Sequence, residues 1–197
     1  LIALFMQAGN QIMAEGTTGN YASTLNTTSR YSLDSMLEYY TNFANPLSDV
    51  YSWNRSLPNS TDAFSSEKVA FYFGHSSELE SLVKKNPNQN FFIAPIPQIR
   101  ESNYKATSAH TIGIAISSFS KNFNTAFIAG GLMTKGNFAK DFAKSLNLAP
   151  ARRDILQAIP EDAYSPIFYA SAFFARSWIA PSYAASNEIF KGMVERV

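Results

Sequence analysis

Three short apolar runs constrain the fold of this chain more than any other feature. They are KVAFYFG (residues 68–74), FFIAPIP (91–97) and TIGIAISS (111–118). Runs of this length that are bounded by glycine or proline are typical of buried strands. Segments with apolar residues at helical spacing lie before, between and after these runs. The alternation predicts a helix-rich α/β fold with a small sheet between helical layers.

The helices are predicted from spacing, caps and prolines. Ser32 is placed to cap a helix that ends before Pro46. A helix with an interruption at Gly9 is predicted over residues 1–14, and a short helix from a cap at Ser60 or Asp62 through Phe64. Further helices are predicted over 76–85, 124–133, 137–146 and 164–197, the last with a break at Pro181.

Composition narrows the class of partner. The chain has 197 residues, of which 16% are charged, and its net charge is +1. A nucleic-acid-binding protein carries a basic patch or stripe, so this balance argues against a nucleic-acid partner. The absence of cysteine excludes disulfides, thiolate catalysis and cysteine-ligated zinc. The chain begins inside an apolar run and its first Met is Met6, so we expect it to be part of a longer precursor.

The sequence lacks the motifs that would predict catalysis. His75 and His110 are the only histidines, and neither belongs to a zinc-protease motif. Nucleophile-elbow, P-loop and dinucleotide-binding patterns are absent as well. We therefore predict a protein that is not an enzyme and that binds neither a metal nor a cofactor.

Two groups of aromatic residues are candidates for ligand binding. Trp53 lies in a polar loop, where it either covers a core or stacks on a ligand. Phe174 and Trp178 are four residues apart, which on a helix puts them on one face, either in the core or at a site. Arg176 lies between them, and its guanidinium suits either a ligand oxygen or a surface ion pair.

The turn after the first apolar run is a third candidate. It comprises Gly74, His75, Ser76 and Ser77, and it leads from a predicted strand into a predicted helix. The ends of strands in α/β folds are common places for ligands.

The order of several motifs resembles one protein family. The motifs are LFMQAGNQI (4–12), STDAFSSEKVAFYFGHSSEL (60–79), NFFIAPIPQ (90–98), HTIGIAISSFSKN (110–122) followed by TAFIAGGLM (125–133), and PARRDIL (150–156). In this order they resemble the extracellular solute-binding proteins of ABC importers, in the sugar-binding, maltose-binding-protein-like branch. Glu67 stands where the family usually has glycine, and Phe71 stands where it usually has methionine.

The resemblance implies a periplasmic-binding-protein-like (type II) fold in two lobes, with ligand bound between them. Residues 1–108 and 160–197 would form the second, C-terminal lobe. Residues 109–159 would supply the crossing strand and helices of the first lobe, whose N-terminal part is absent.

The resemblance also implies a function, which is capture of a carbohydrate without chemical change and delivery to a membrane permease by lobe closure. The ligand-binding residues that the resemblance implies are Gly74, His75, Ser76, Ser77 and Phe174. The aromatic and cationic candidates described above, Trp53, Arg176 and Trp178, complete the predicted set. The expected protein is a monomeric, extracytoplasmic solute-binding protein, periplasmic or on the cell surface, with a possible lipid anchor through the missing N-terminus. The open alternatives are a carbohydrate sensor or adhesin, a peptide- or polyamine-binding protein, and a glycosidase-like enzyme.

Overall fold

A computed structural model describes residues 1–17, 19–27, 31–100 and 104–197. The protein is helix-rich, with 41% of its residues in helices and few strands, which is compatible with the predicted α/β class. The chain divides into two compact units. Unit 1 comprises residues 1–58, 97–108 and 175–197, and unit 2 comprises residues 59–96 and 109–174.

The described residues of unit 1 form three helices and two small sheets. The helices are α1 (Ile2–Gln7), α2 (Leu33–Asn42) and α9 (Tyr183–Glu195). Strands β1 (Met13–Glu15) and β2 (Tyr21–Ser23) pair antiparallel, with Ala14 opposite Ala22. Strands β3 (Thr107–Ser108) and β4 (Ala175–Arg176) pair in parallel, with Thr107 opposite Ala175.

The core of unit 1 forms around α1. Phe5, Met6, Ile12 and Ala106 are its buried centre, and Trp178 and Phe190 are among the half-buried side chains packed against it. Gln7 is buried beside this cluster, and its amide nitrogen donates to the carbonyls of Pro97 at 3.0 Å and Ala106 at 3.1 Å. A buried polar side chain needs hydrogen-bond partners, and those of Gln7 lie in the second segment of unit 1. These two bonds therefore connect the first segment of unit 1 to the second.

Unit 2 contains the remaining helices. They are α3 (Ser60–Ser65), a 3₁₀ turn (Ser76–Glu78) that continues into α4 (Leu79–Lys85), α5 (Phe123–Met133), α6 (Gly136–Ser145), α7 (Arg153–Leu156) and α8 (Ser165–Ala172). Phe64 stacks on Tyr72 at 5.6 Å between ring centroids and meets the edge of Phe91 at 5.7 Å. Phe91 in turn stacks on Tyr164 at 5.6 Å. This chain of rings joins α3 to the segment that precedes α8.

Most helix predictions are confirmed to within a residue or two. Ser32 caps α2, since its Oγ accepts from the Ser35 N–H at 3.2 Å, and the helix ends before Pro46. α5 and α6 match their predicted spans, and α4 ends at Lys85, before Asn86 and Pro87. The cap of α3 is Asn59 rather than Ser60 or Asp62. None of the helices in the described ranges has both the length and the apolar character that a membrane crossing requires.

The two terminal helix predictions are wrong in part. α1 stops at Gln7, and residues 13–15 belong to β1 because they pair with β2. The predicted helix over 164–197 is divided into α8, β4 and α9. Pairing with β3 draws residues 175–176 into a strand, so the interruption is wider than a break at Pro181 alone.

The three apolar runs do not form the predicted sheet. Residues 68–74, 91–97 and 111–118 have no strand pairing in the described structure. Phe71 is 89% exposed and Phe92 is fully exposed. A β-strand forms by hydrogen bonding to a neighbouring strand. An apolar run is compatible with a strand, but it does not show whether a second strand lies beside it.

Within the described ranges, three helices end in the same hydrogen-bond pattern with a left-handed residue. The left-handed residues are Gly9 after α1 (φ 83°), Glu67 after α3 (φ 59°) and Asn147 after α6 (φ 53°). After α3, the Glu67 N–H donates to the Phe64 carbonyl and the Lys68 N–H to the Ala63 carbonyl, both at 2.9 Å. This is the Schellman arrangement, in which glycine is the usual left-handed residue.

The observed units and the predicted lobes share one boundary, between residues 108 and 109. The units also divide at 58/59, 96/97 and 174/175, whereas the predicted lobes divide at 159/160. The assignment of residues to lobes of a binding protein stays a prediction.

Candidate functional site

The turn over residues 72–78 is the best-defined of the predicted binding segments. Glu78 Oε2 accepts hydrogen bonds from the Tyr72 hydroxyl at 2.7 Å and from the His75 N–H at 3.1 Å. The Tyr72 hydroxyl also lies 3.2 Å from Thr61 Oγ1 on α3. Burial raises the pKa of Tyr72, and the nearby Glu78 carboxylate raises it further, so the phenol stays a neutral donor.

Gly74 leaves room for the Tyr72 and Glu78 side chains of this turn. A Cβ on residue 74 would lie 2.6 Å from Tyr72 Cε1 and would overlap the Glu78 carboxylate. Such a contact is shorter than van der Waals distance, so a larger residue would force the Tyr72 ring or the Glu78 carboxylate to shift. The turn thus presents His75 and Ser77 to solvent and leaves Ser76 half-buried.

The two histidines of the chain are neighbours in unit 2. The ring centroids of His75 and His110 lie 5.0 Å apart, with 31° between the ring planes. Both residues are exposed. His75 belongs to the turn just described, and His110 directly precedes the apolar run 111–118.

The loop that carries Trp53 is tied back to the end of α2. The N–H groups of Ser52 and Trp53 both donate to the Phe43 carbonyl, at 2.8 and 3.2 Å. The next residues are ordered by Asn54, whose Oδ1 accepts from the Ser56 N–H at 3.0 Å. Trp53 itself is half-buried. The ring is therefore neither in the centre of the core nor fully free, and both interpretations of Trp53 stay open.

The predicted helix face with Phe174 and Trp178 is not formed. α8 ends at Ala172, and residues 175–176 belong to β4, so the two rings have no helical relationship. Trp178 packs against the core of unit 1 and meets Phe190 edge to face, with 5.8 Å between centroids. Arg176 is exposed, and its guanidinium donates to the Ala175 carbonyl at 2.9 Å.

The predicted binding residues are divided between the two units. Trp53, Arg176 and Trp178 lie in unit 1, whereas residues 74–77 and Phe174 lie in unit 2. Neither unit by itself contains the complete predicted set. The proposal that these residues bind one ligand stays a prediction.

Two surface concavities of the described chain are lined by other residues. One is lined by α9 side chains that include Ile189 and Met193, and the other is formed by residues 120–125 at the start of α5. The described residues contain no group of three or more His, Cys, Asp or Glu side chains that could hold a metal ion.

No protein-family model, curated protein or solved structure matches this chain.

Sequence reasoning missed the contact between the two histidines. Neither histidine has a second histidine at helical spacing, so no local pattern predicts that the two rings meet. One signal could have revealed the contact: His75 follows one apolar run and His110 precedes another. If two such runs lay side by side in opposite directions, these flanking positions would meet at the same edge.

Proposed function

We propose that this protein captures an uncharged solute, most simply an oligosaccharide, outside the cytoplasm and hands it to an ABC importer without breaking a bond. The proposed protein is a type II periplasmic-binding-protein-like component that responds to its ligand by closure. A ligand can drive closure only through contacts that are stronger in the closed state, so the relevant measurement is ligand binding.

The observation that carries the proposal is the order of the motifs in the sequence, from LFMQAGNQI to PARRDIL. The backbone at Glu67 supports the register of one of them. The family usually has glycine at this position, and Glu67 has the positive φ of 59° that favours glycine. Position 67 therefore has the backbone conformation that glycine favours, although the residue there is glutamate.

The chemistry of the candidate residues also fits a sugar. A pyranose has an apolar C–H face that an aromatic ring can cover, and its hydroxyls pair with neutral donors and acceptors. Trp53 is half-buried, which leaves part of its ring available, and the turn at Ser76 and Ser77 offers hydroxyl groups. A surface with few charges suits a neutral ligand better than an ionic one.

The test is a ligand screen by thermal shift and calorimetry on the full chain, with oligosaccharides, short peptides and polyamines. For a sugar that binds, we expect Trp53→Ala to weaken affinity at least about tenfold, which corresponds to about 1.4 kcal/mol of lost stacking and burial. Tyr21→Ala is the matched control, because it removes an exposed aromatic of the same unit that lies on β2. The control should bind sugar as tightly as the parent protein.

Several outcomes would count against the proposal. Binding only to peptides or polyamines would reassign the ligand class. Release of shorter sugars during incubation would indicate a glycosidase-like enzyme instead. Equal affinity in Trp53→Ala and the parent would remove Trp53 from the site.

A further inference from the structure

The contact between His75 and His110 has a geometry that suits a shared metal ion. A zinc–imidazole bond of about 2.0–2.1 Å places the metal about 3.2 Å from the ring centroid. Two rings on one ion, with a nitrogen–metal–nitrogen angle of about 90–110°, then have centroids about 4.5–5.2 Å apart. The observed separation of 5.0 Å lies within this range. The 31° between the planes is also compatible, because a ring can rotate about its metal–nitrogen bond.

We infer that His75 and His110 form a two-histidine surface site for a divalent transition-metal ion of the Zn²⁺, Ni²⁺ or Cu²⁺ type. Imidazole nitrogen suits these borderline ions, whereas Mg²⁺ and Ca²⁺ prefer oxygen ligands. This inference does not rest on solute binding.

The surroundings of the two rings favour such a site. Both residues are exposed, so an ion can reach them without opening the fold. The backbone of His75 is held by the hydrogen bond from its N–H to Glu78 Oε2, and the same oxygen accepts from Tyr72. Gly74 leaves room for the Glu78 carboxylate that makes this hydrogen bond, so the backbone of His75 is held in place before an ion binds. A ligand that is held before binding loses less entropy when the ion arrives.

Each histidine needs only one of its two ring nitrogens for the metal. The other nitrogen can keep a hydrogen bond, which in metal sites orients the ring. The described residues offer no third His, Cys, Asp or Glu that completes a cluster around the pair. Water or a bound ligand would therefore fill the remaining positions, and the affinity should be below that of a structural four-ligand zinc site.

The experiment titrates the full chain, purified without a histidine tag, with Zn²⁺, Ni²⁺ and Cu²⁺ alone, and with Mg²⁺ as the hard-ion comparison. Calorimetry should give one equivalent of a transition metal and no binding of Mg²⁺. His75→Gln and His110→Gln should each weaken binding at least tenfold. Thr111→Ala, an exposed neighbour of His110, is the matched control and should bind as the parent does.

A second readout is independent of affinity. Substoichiometric Cu²⁺ should broaden the imidazole NMR signals of His75 and His110 together, because both rings lie within bonding distance of the same paramagnetic ion. Circular dichroism checks that each variant is folded. Binding that survives in the double variant, broadening of only one histidine, or no saturable binding would each overturn the inference.

Discussion

Glu67 holds a backbone conformation that its own side chain disfavours. Its φ of 59° lies in the left-handed region, where a Cβ crowds the following carbonyl. The other two helix ends with this pattern have Gly9 and Asn147, which are the residues that tolerate the region best. Among the three, Glu67 is therefore the one at which a substitution should gain stability.

We expect Glu67→Gly to stabilise unit 2 by about 1 kcal/mol, since glycine removes the left-handed strain but loses more entropy on folding. Urea unfolding monitored by circular dichroism measures the change. Glu67→Ala is the control, because alanine removes the charge and keeps the strain. If alanine stabilises as much as glycine does, the charge rather than the backbone is responsible.

Single residues differ in how well the sequence predicts them. The cap at Ser32 was predictable because its hydrogen bond to Ser35 is local. The contact between His75 and His110 was not, because it depends on two segments that are far apart along the chain. Trp178 was ambiguous for the same reason, and its contact with Phe190 is a tertiary one.

At the scale of elements, the N-terminus of α8 is hydrogen-bonded to the side chain of an aspartate that precedes the helix. Asp162 Oδ1 accepts from the N–H groups of Tyr164 at 3.1 Å and Ser165 at 2.7 Å. The Ser165 N–H lowers the pKa of Asp162 below its ordinary value. The negative charge also lies at the helix N-terminus, where it is favourable.

We expect Asp162→Ala to destabilise the protein by about 1 kcal/mol at neutral pH, as for the loss of a helix cap. The folded-state pKa of Asp162 is lower than that of the unfolded chain, so its contribution is fully present above about pH 4. The contribution is lost as the pH falls through the lowered pKa. The difference between variant and parent should therefore shrink in urea unfolding below that pH, and a difference that grows in acid would contradict the assignment.

Glu161→Ala is the control for this comparison. It removes a neighbouring exposed carboxylate and should change stability by less than about 0.5 kcal/mol.

Helices were more predictable than strands in this chain because their hydrogen bonds close within a few residues. For α2, the spacing of its apolar residues and the cap at Ser32 were sufficient for that reason, and α5 and α6 lie within one residue of their predicted spans. The runs 68–74, 91–97 and 111–118 have strand composition, but pairing requires a distant partner. The parallel strands β3 and β4 are the opposite case, because they pair although neither two-residue strand has a sequence pattern that predicts a strand.

At the scale of the whole molecule, unit 1 is assembled from three separate stretches of chain. Gln7 connects the first stretch to the second through its bonds to Pro97 and Ala106. We expect Gln7→Ala to destabilise the protein by about 2–3 kcal/mol, because it leaves these carbonyls without the donor they share.

Gln11→Ala is the matched control, since Gln11 is exposed and only its backbone carbonyl takes part in a described hydrogen bond. Denaturant unfolding of the two variants beside the parent makes the comparison. A loss for Gln7→Ala no larger than that for Gln11→Ala would show that the buried amide is dispensable.

The helix-rich class was accessible from the sequence, whereas the division into units was not. Helical spacing is visible in one segment at a time, as in residues 33–43. The unit boundaries at 58/59 and 174/175 depend on which segments pack into the same core. A local sequence pattern does not show which distant segments pack together. For the same reason the sequence proposed eight binding residues but could not predict how they would be divided.

The composition of unit 1 from distant stretches has a consequence for biosynthesis. Translation proceeds from the N-terminus, so residues 59–174, which include all of unit 2, leave the ribosome before residues 175–197 do. Phe5 and Met6 are made early, but Trp178 and Phe190, which pack against them, are made late. During synthesis, all residues of unit 2 are therefore available for folding while the core of unit 1 still lacks Trp178 and Phe190.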